Sequence, residues 1–308
     1  MNDLFTSYIG QEQAIRLLRF QVKSFKQTGY FPPVLISSKR GDGKSYLSEI
    51  VSKELAKPRL VINASTIKNA HAFVEQIFVP HCLDRQVTLH FDESHCITKS
   101  PKLEDLLLSA LSPNKNHVNI VDFEGSELVF NNNQLSWIFS TTNIEQHGLA
   151  FRNRLKHITL AQYKPLELSK IFMLHVDGTY TIEIDVLDEI ISVCRDTARN
   201  CVLLADDMNN FSRVYKITDF DLFNWKSFKK TMGINVLGLN HDEINYLKML
   251  SKHTHITLTG LASALEMDRK TCQRAVEPFL LKKGLIGIDV SGRKLTAKGK
   301  KTLDEIEA

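Results

Sequence analysis

The stretch VLISSKRGDGKSYLSEI, from Val34 to Ile50, narrows the folds open to this chain more than any other segment. A short apolar run leads into a glycine-containing loop, and the loop leads into a pattern with helical spacing. Strand, tight loop and helix in succession build a cradle of backbone N–H groups at a helix N-terminus, suited to an anion. Gly41 and Gly43 allow close backbone approach around Asp42, Lys44 would reach the β- and γ-phosphates of a nucleotide, and Ser45 would bind Mg2+ beside Tyr46. The glycine expected five positions before Gly43 is missing: Ser38 stands there, followed by Lys39 and Arg40. By itself GDGKS is equally a plain turn entering a helix.

The pattern continues around this stretch. GQEQAIRLLRFQVKSFKQTGY has helical periodicity, with Gly29 as its stop. RLVINA reads as a strand, KNAHAFVEQIF as a helix, QVTLHFDES as a strand ending in two acids, and KLEDLLLSALS as a helix. HVNIVDFEGSELVF alternates on either side of Glu124-Gly125-Ser126 and predicts a β-hairpin, and LSWIFSTTN is another apolar strand. Short apolar strands alternating with helices predict an α/β domain: a parallel sheet covered on both faces, with its ligand at the C-terminal strand ends. From about Gln162 only helices are expected, without strands between them. From about Gly233, three helical runs precede two strands joined at Ser291-Gly292, the pattern of a winged helix. The predicted domains are 1–162, a helical lid at 163–232, and a winged helix at 233–308.

Further residues give the glycine loop a chemical context. Asp92 and Glu93 follow an apolar strand, where one acid can hold Mg2+ through water and the other can deprotonate an attacking water. Asn143 closes another strand and can position that water, whereas alone it would be an ordinary strand-ending residue. FRNRL supplies Arg152 and Arg154, either of which could act on a neighbouring subunit's nucleotide, although such arginines are usually surface residues. In this order, the elements describe a nucleoside triphosphatase. Composition adds little: 39 Lys and Arg against 35 Asp and Glu give a net charge of +4, compatible with nucleic acid without demanding it. There is no apolar run of the ~18 residues a membrane span needs. The five scattered cysteines read as reduced thiols, so a cytoplasmic location is expected, and the adjacent pairs His81-Cys82 and His95-Cys96 read as structural rather than metal-binding.

The chain resembles the AAA+ ATPases and, within them, the RuvB family. The resemblance is carried by SYIGQEQAI, FDESH, STTN…FRNRL and RDTAR, and by the C-terminal phrases LGLNHDEINYLKML, LTGLASALEMDRKT, VEPFLLKKGLI and SGRKLT. It implies that Tyr8 and Ile9 flank the adenine, that Arg154 is the arginine acting in trans, and that Arg199 touches the γ-phosphate from the lid. It also implies ATP and Mg2+ as cofactors, a hexameric ring, double-stranded or branched DNA as partner, and a RuvA-like protein at the hairpin 118–130. DNA contact is expected at Arg269, Lys270, Arg274, Arg293 and Lys294, while Lys282 and Lys283 read equally as a solvated helix end. Ser38 departs from the family pattern, as do Asn143, usually arginine in this family, and Asp196 and Ala198, where the family has glycine and proline. Two other functions fit the same residues: a clamp-loader or helicase-loader ATPase, and an ATP-gated DNA-docking module.

Overall fold

Residues 3–307 are described by a computed structural model, and they fall into two compact units. Among these residues, the first unit comprises 3–167 with Thr197–Arg199, and the second comprises Leu168–Asp196 and 200–307. In chain order the first unit contains α1 (Glu12–Thr28), β1 (Val34–Ser37), α2 (Lys44–Glu54), β2 (Arg59–Asn63), α3 (Ala70–Phe73), α4 (Val79–His81), β3 (Val87–Asp92) and α5 (Pro101–Ala110). It continues with β4 (Val118–Phe123), β5 (Ser126–Asn131), β6 (Leu135–Thr141), α6 (Leu149–Arg152) and β7 (Lys156–Thr159). The helix predicted from KNAHAFVEQIF is α3 followed by a π-helical turn at Val74–Phe78, which runs on into α4.

Five strands pair in parallel in the order β2-β3-β6-β1-β7. Of the three inner strands, VLIS and LSWIFST are buried at every position, as expected where helices cover both faces. On one face Leu89, Phe91, Trp137 and Phe139 pack with Phe73, Phe78 and α5 residues. Each such side chain contributes roughly 1.5–3 kcal/mol when withdrawn from water. The Trp137 indole N–H donates to Asn132 Oδ1 at 2.7 Å, satisfying the one polar atom of that ring. On the other face Val34, Ile36 and Ile138 pack against α1 and α2 residues such as Leu18, Leu47 and Val51. Parallel register aligns Ser37 with Thr141 and Asn63 with Asp92, so the polar ends of four strands share one edge. The hairpin β4–β5 forms a separate antiparallel pair, turning at Glu124 and Gly125 with φ of 55° and 83°.

The second unit takes in most of α7 (Pro165–His175), then β8 (Thr181–Ile182), α8 (Ile184–Val193), most of α9 (Ala198–Tyr215), β9 (Asp219–Phe220) and α10 (Leu222–Met232). The expectation of helices alone is corrected: β8 and β9 form a two-residue parallel pair, too short to show an alternating pattern in sequence. The C-terminal part contains α11 (His241–Ser251), α12 (Leu258–Ala264), α13 (Arg269–Thr271), α14 (Glu277–Lys282), β10 (Ile286–Asp289), β11 (Gly292–Leu295) and α15 (Ala297–Glu307). Its first helix is closed by a capping box, in which Asn240 accepts from the Glu243 N–H and Glu243 from the Asn240 N–H. The wing β10–β11 is antiparallel, and Gly292, at φ 129°, lies where a Cβ would run into the Ile256 carbonyl. The last helix was not expected from sequence, because Gly299 breaks its pattern. That glycine lies against the Leu285 backbone, where no side chain fits.

Candidate nucleotide site and nucleic-acid surface

The glycine loop connects β1 to α2 at the polar edge of the sheet. Gly41 and Gly43 both have φ 89°, a left-handed conformation that favours glycine. A Cβ on Gly43 would come within 2.5 Å of the Tyr8 hydroxyl oxygen, and one on Gly41 within 3.3 Å of Arg199 Cβ. Ser38 has no such positive φ, which explains why serine is tolerated there. Its N–H extends the sheet to the Thr141 carbonyl at 3.3 Å. Lys44 is buried, and its ammonium donates to the Ser38 carbonyl (3.1 Å), Ser38 Oγ (3.3 Å) and the Lys39 carbonyl (2.9 Å). Burial holds its pKa below the ordinary lysine value, opposed by the charges of Asp42, Glu93 and Asp92. Burial likewise raises Asp42, although Lys44 works against it.

Tyr8 is buried against this loop, its hydroxyl 3.3 Å from both the Asp42 and Gly43 carbonyls, and its ring stacks on Tyr46. Ile9 is half-buried beside it. The Tyr163 hydroxyl joins Tyr8 Oη and the Asp42 carbonyl, each at 3.2 Å. Sequence reading missed Tyr163, because 121 positions separate it from Asp42 and no motif links them.

Asp92 ends β3, and Glu93 follows with φ 49°, its N–H donating to Asp92 Oδ1 at 3.0 Å. The Glu93 carboxylate accepts from Thr142 Oγ1 at 3.3 Å and lies 3.4 Å from His95 Nδ1. Asn143 is exposed just beyond β6, its N–H held by Thr141 Oγ1. Within this unit the Arg199 N–H donates to the Gly41 carbonyl at 3.0 Å, bringing that arginine to the loop. Asp196 takes φ 58°, the backbone conformation a glycine would favour, which aspartate tolerates better than most residues. Arg152 is the last residue of α6, and Arg154 lies past its end, donating from Nη1 to the Ala150 carbonyl. The Nε atoms of both arginines are buried without an acceptor. The loop, the acid pair, Asn143 and Arg199 thus gather at one sheet edge. The gathered donors suit a triphosphate, with one hydroxyl (Ser45) and one carboxylate (Asp92) for Mg2+, which keeps much of its water shell.

In the winged helix, Arg269, Lys270 and Arg274 are exposed and have no acidic partner within ion-pair distance among the described residues. Lys294 is exposed but pairs with Asp289 at 2.9 Å. Arg293 turns inward: its Nε donates to the buried Glu277 at 2.9 Å, and the Tyr246 hydroxyl donates to the same carboxylate oxygen at 2.6 Å. Lys282 and Lys283 are not a free helix end, since both pair with Asp196, at 2.5 and 3.2 Å.

The family model for the RuvB C-terminal winged helix domain matches residues 236–304. The chain carries a RuvB-type winged helix. Its similarity to RuvB proteins extends well beyond that domain. It is 25% identical over 323 residues to the Holliday junction branch migration complex subunit RuvB of Mycoplasmopsis pulmonis, covering 98% of this chain and 96% of the relative. The RuvB subunit of Campylobacter lari is 26% identical over 302 residues, covering 94% of this chain and 86% of that protein. Among solved structures, the Thermotoga maritima RuvB Holliday junction branch migration motor superposes with a TM-score of 0.77 at 23% identity, covering 98% of this chain and 97% of that one. No helix among the described residues is long and apolar enough to cross a membrane.

Proposed function

We propose that this chain is an ATP-hydrolysing DNA motor of the RuvB type, driving branch migration in recombination and repair. The observation that carries this reading is the convergence of Lys44, Ser45, Asp92, Glu93, Asn143 and Arg199 at one sheet edge. Relatives named as branch-migration subunits along nearly the whole chain support it. Lys44 binds the β- and γ-phosphates, which take the place of the loop carbonyls of Ser38 and Lys39 that it now contacts. Mg2+, held by Ser45 and through water by Asp92, would neutralise charge on the phosphate oxygens. Glu93, steadied by Thr142 and His95, accepts the proton of the attacking water, which Asn143 orients. Tyr8 and Ile9 lie beside the base, Arg199 reports the γ-phosphate, and Arg154 serves the ATP of the next subunit in a hexameric ring. The lid spans 163–232 and the winged helix 233–308, with Arg269, Lys270, Arg274 and Lys294 on DNA phosphates. The hairpin 118–130 receives a RuvA-like partner.

The test is ATP hydrolysis with duplex and four-way DNA, for the wild type beside Glu93→Gln and Arg154→Ala. DNA-stimulated turnover is expected in the wild type. Glu93→Gln should lower it by about 10²-fold or more while nucleotide still binds. Arg154→Ala subunits should be inactive in an assembled ring. A wild type that hydrolyses no ATP at any protein or DNA concentration overturns the motor. Bursts of turnover that require a sliding clamp or helicase would instead identify a loader.

A further inference from the structure

Beneath the nucleotide site lies a chain of polar groups that the reaction does not use. Ser48, His90 and Ser140 are each 0% exposed, on the sheet face that packs against α1 and α2. Ser48 Oγ lies 2.7 Å from the Ser45 carbonyl, 2.9 Å from Arg59 Nη1 and 3.1 Å from His90 Nδ1. His90 Nε2 lies 2.8 Å from Ser140 Oγ. The direction of every bond follows from elementary valence. A carbonyl only accepts and a guanidinium only donates, so the single Ser48 proton goes to the Ser45 carbonyl. Both remaining Ser48 lone pairs then receive hydrogen, one from Arg59 and one from His90. His90 therefore carries its proton on Nδ1, and its bare Nε2 accepts from Ser140.

We infer that Ser48, His90 and Ser140 form a buried strut that sets the spacing of Ser45, Asp92 and Thr141, making His90 a positioning residue for the nucleotide site. This rests on the function proposed above. The strut joins the three elements that carry the chemistry. Ser48 sits one turn beyond Ser45 on α2, His90 two residues before Asp92 on β3, and Ser140 directly before Thr141 on β6. Arg59, donating to the Ser45 carbonyl at 2.7 Å, fastens the same turn from β2. An apolar trio would fill this space without needing any hydrogen bond. The polar trio instead fixes direction and distance, because each of its three hydrogen-bond donors is committed to one partner.

Nitrogen NMR of the full chain, labelled at histidine, reads the strut without turnover. The proton is expected on Nδ1 of His90, and the ring signal should move when Mg2+ and a non-hydrolysable ATP analogue bind. Removing the strut with the combined variant Ser48→Ala, His90→Phe, Ser140→Ala keeps the core filled. Turnover should then fall about tenfold or more, since small displacements at a reacting centre are costly. The Mg2+ concentration for half-maximal nucleotide binding should rise several-fold, while affinity for metal-free nucleotide stays within about twofold. His90→Asn retains a donor near the Nδ1 position and should recover part of the loss; His90→Gln, which reaches only toward Ser140, should not. A proton on Nε2, or a folded triple variant with wild-type Mg2+ response, overturns the strut. If the wild type binds nucleotide but never hydrolyses it, the motor fails, whereas the tautomer and the Mg2+ dependence of binding still decide the strut.

Discussion

The nucleotide end of the first unit and the winged helix treat their basic residues in opposite ways. Lys44 is buried yet has only neutral hydrogen-bond partners, two carbonyls and a hydroxyl, so its charge remains available to a phosphate. In the winged helix the charges divide: Arg293, Lys282 and Lys283 are tied to acids, and Arg269, Lys270 and Arg274 are not. On the proposed function, ligand binding should follow the charge left uncommitted, which counting basic residues does not reveal.

The largest effects should come from Arg195 and Lys44, and in opposite measurements. Arg195 makes a two-pronged pair with the fully buried Glu243, at 2.6 and 2.8 Å, and its guanidinium lies over the Phe279 ring. Arg195→Ala strands that carboxylate and should cost about 3–5 kcal/mol in urea unfolding of the second unit. Lys44→Met should instead abolish nucleotide binding and turnover while leaving stability within about 1 kcal/mol, since it removes a buried charge with no ionic partner. A strongly destabilised Lys44→Met would break the contrast.

Acid sensitivity is next in size. His147 is buried, with Nε2 on Ser94 Oγ at 3.0 Å, its ring stacked on Phe151, and no acceptor for Nδ1. Burial first, then the nearby His95, Arg152 and His157 charges, push its pKa down to about 4 from 6.5. The folded pKa is the lower one, so the stabilisation is fully present above pH 6.5 and is lost as pH falls through 4. The loss is roughly 3 kcal/mol at most. Lys57 behaves the same way in a different window. Burial lowers it to about 8 from 10.5, so stability rises with pH between those values. Melting His147→Phe beside the wild type at stepped pH should show a flatter acid limb in the variant.

A smaller, sharper comparison sets Arg274 against Arg293. Arg274→Ala should leave unfolding within about 0.5 kcal/mol, while weakening duplex binding and reducing its salt slope by about 1. Arg293→Ala should destabilise by about 2 kcal/mol or more by stranding Glu277, with little change in salt slope. Equal salt slopes in the two variants would mean that the inward turn of Arg293 does not remove it from the DNA surface.

The parts legible in sequence were those written in local patterns. The loop, the acid pair and the hairpin turn each occupy a few consecutive residues whose chemistry demands a particular backbone. The sheet followed from apolar strands alternating with helices. What escaped was non-local. Tyr163 reaches the loop across 121 positions, and His90 sits in an otherwise apolar strand, VTLHFD, where only Ser48 and Ser140 on other elements explain it. Lys282 and Lys283 look like a solvated helix end until Asp196, 87 positions before Lys283, is brought to them. The β8–β9 pair was invisible because two residues carry no period.

The smallest expected change in stability lies at the hairpin. Ile120 and Val129 are cross-strand partners on β4 and β5 and remain 63% and 42% exposed, beside a second pair, Asp122 and Glu127. An exposed apolar pair beside acids is chemistry fit for a partner surface with apolar centre and basic rim, whereas it adds little to the hairpin itself. Cross-strand pairs of this kind are worth roughly 0.2–1 kcal/mol. Replacing both, Ile120→Ser with Val129→Ser, should therefore barely move the melting temperature or the unstimulated ATP turnover. If the hairpin receives a partner protein, the same double variant should lose stimulation by that partner on four-way DNA. Stimulation that persists undiminished would assign the partner to another surface and leave the exposed pair as ordinary surface.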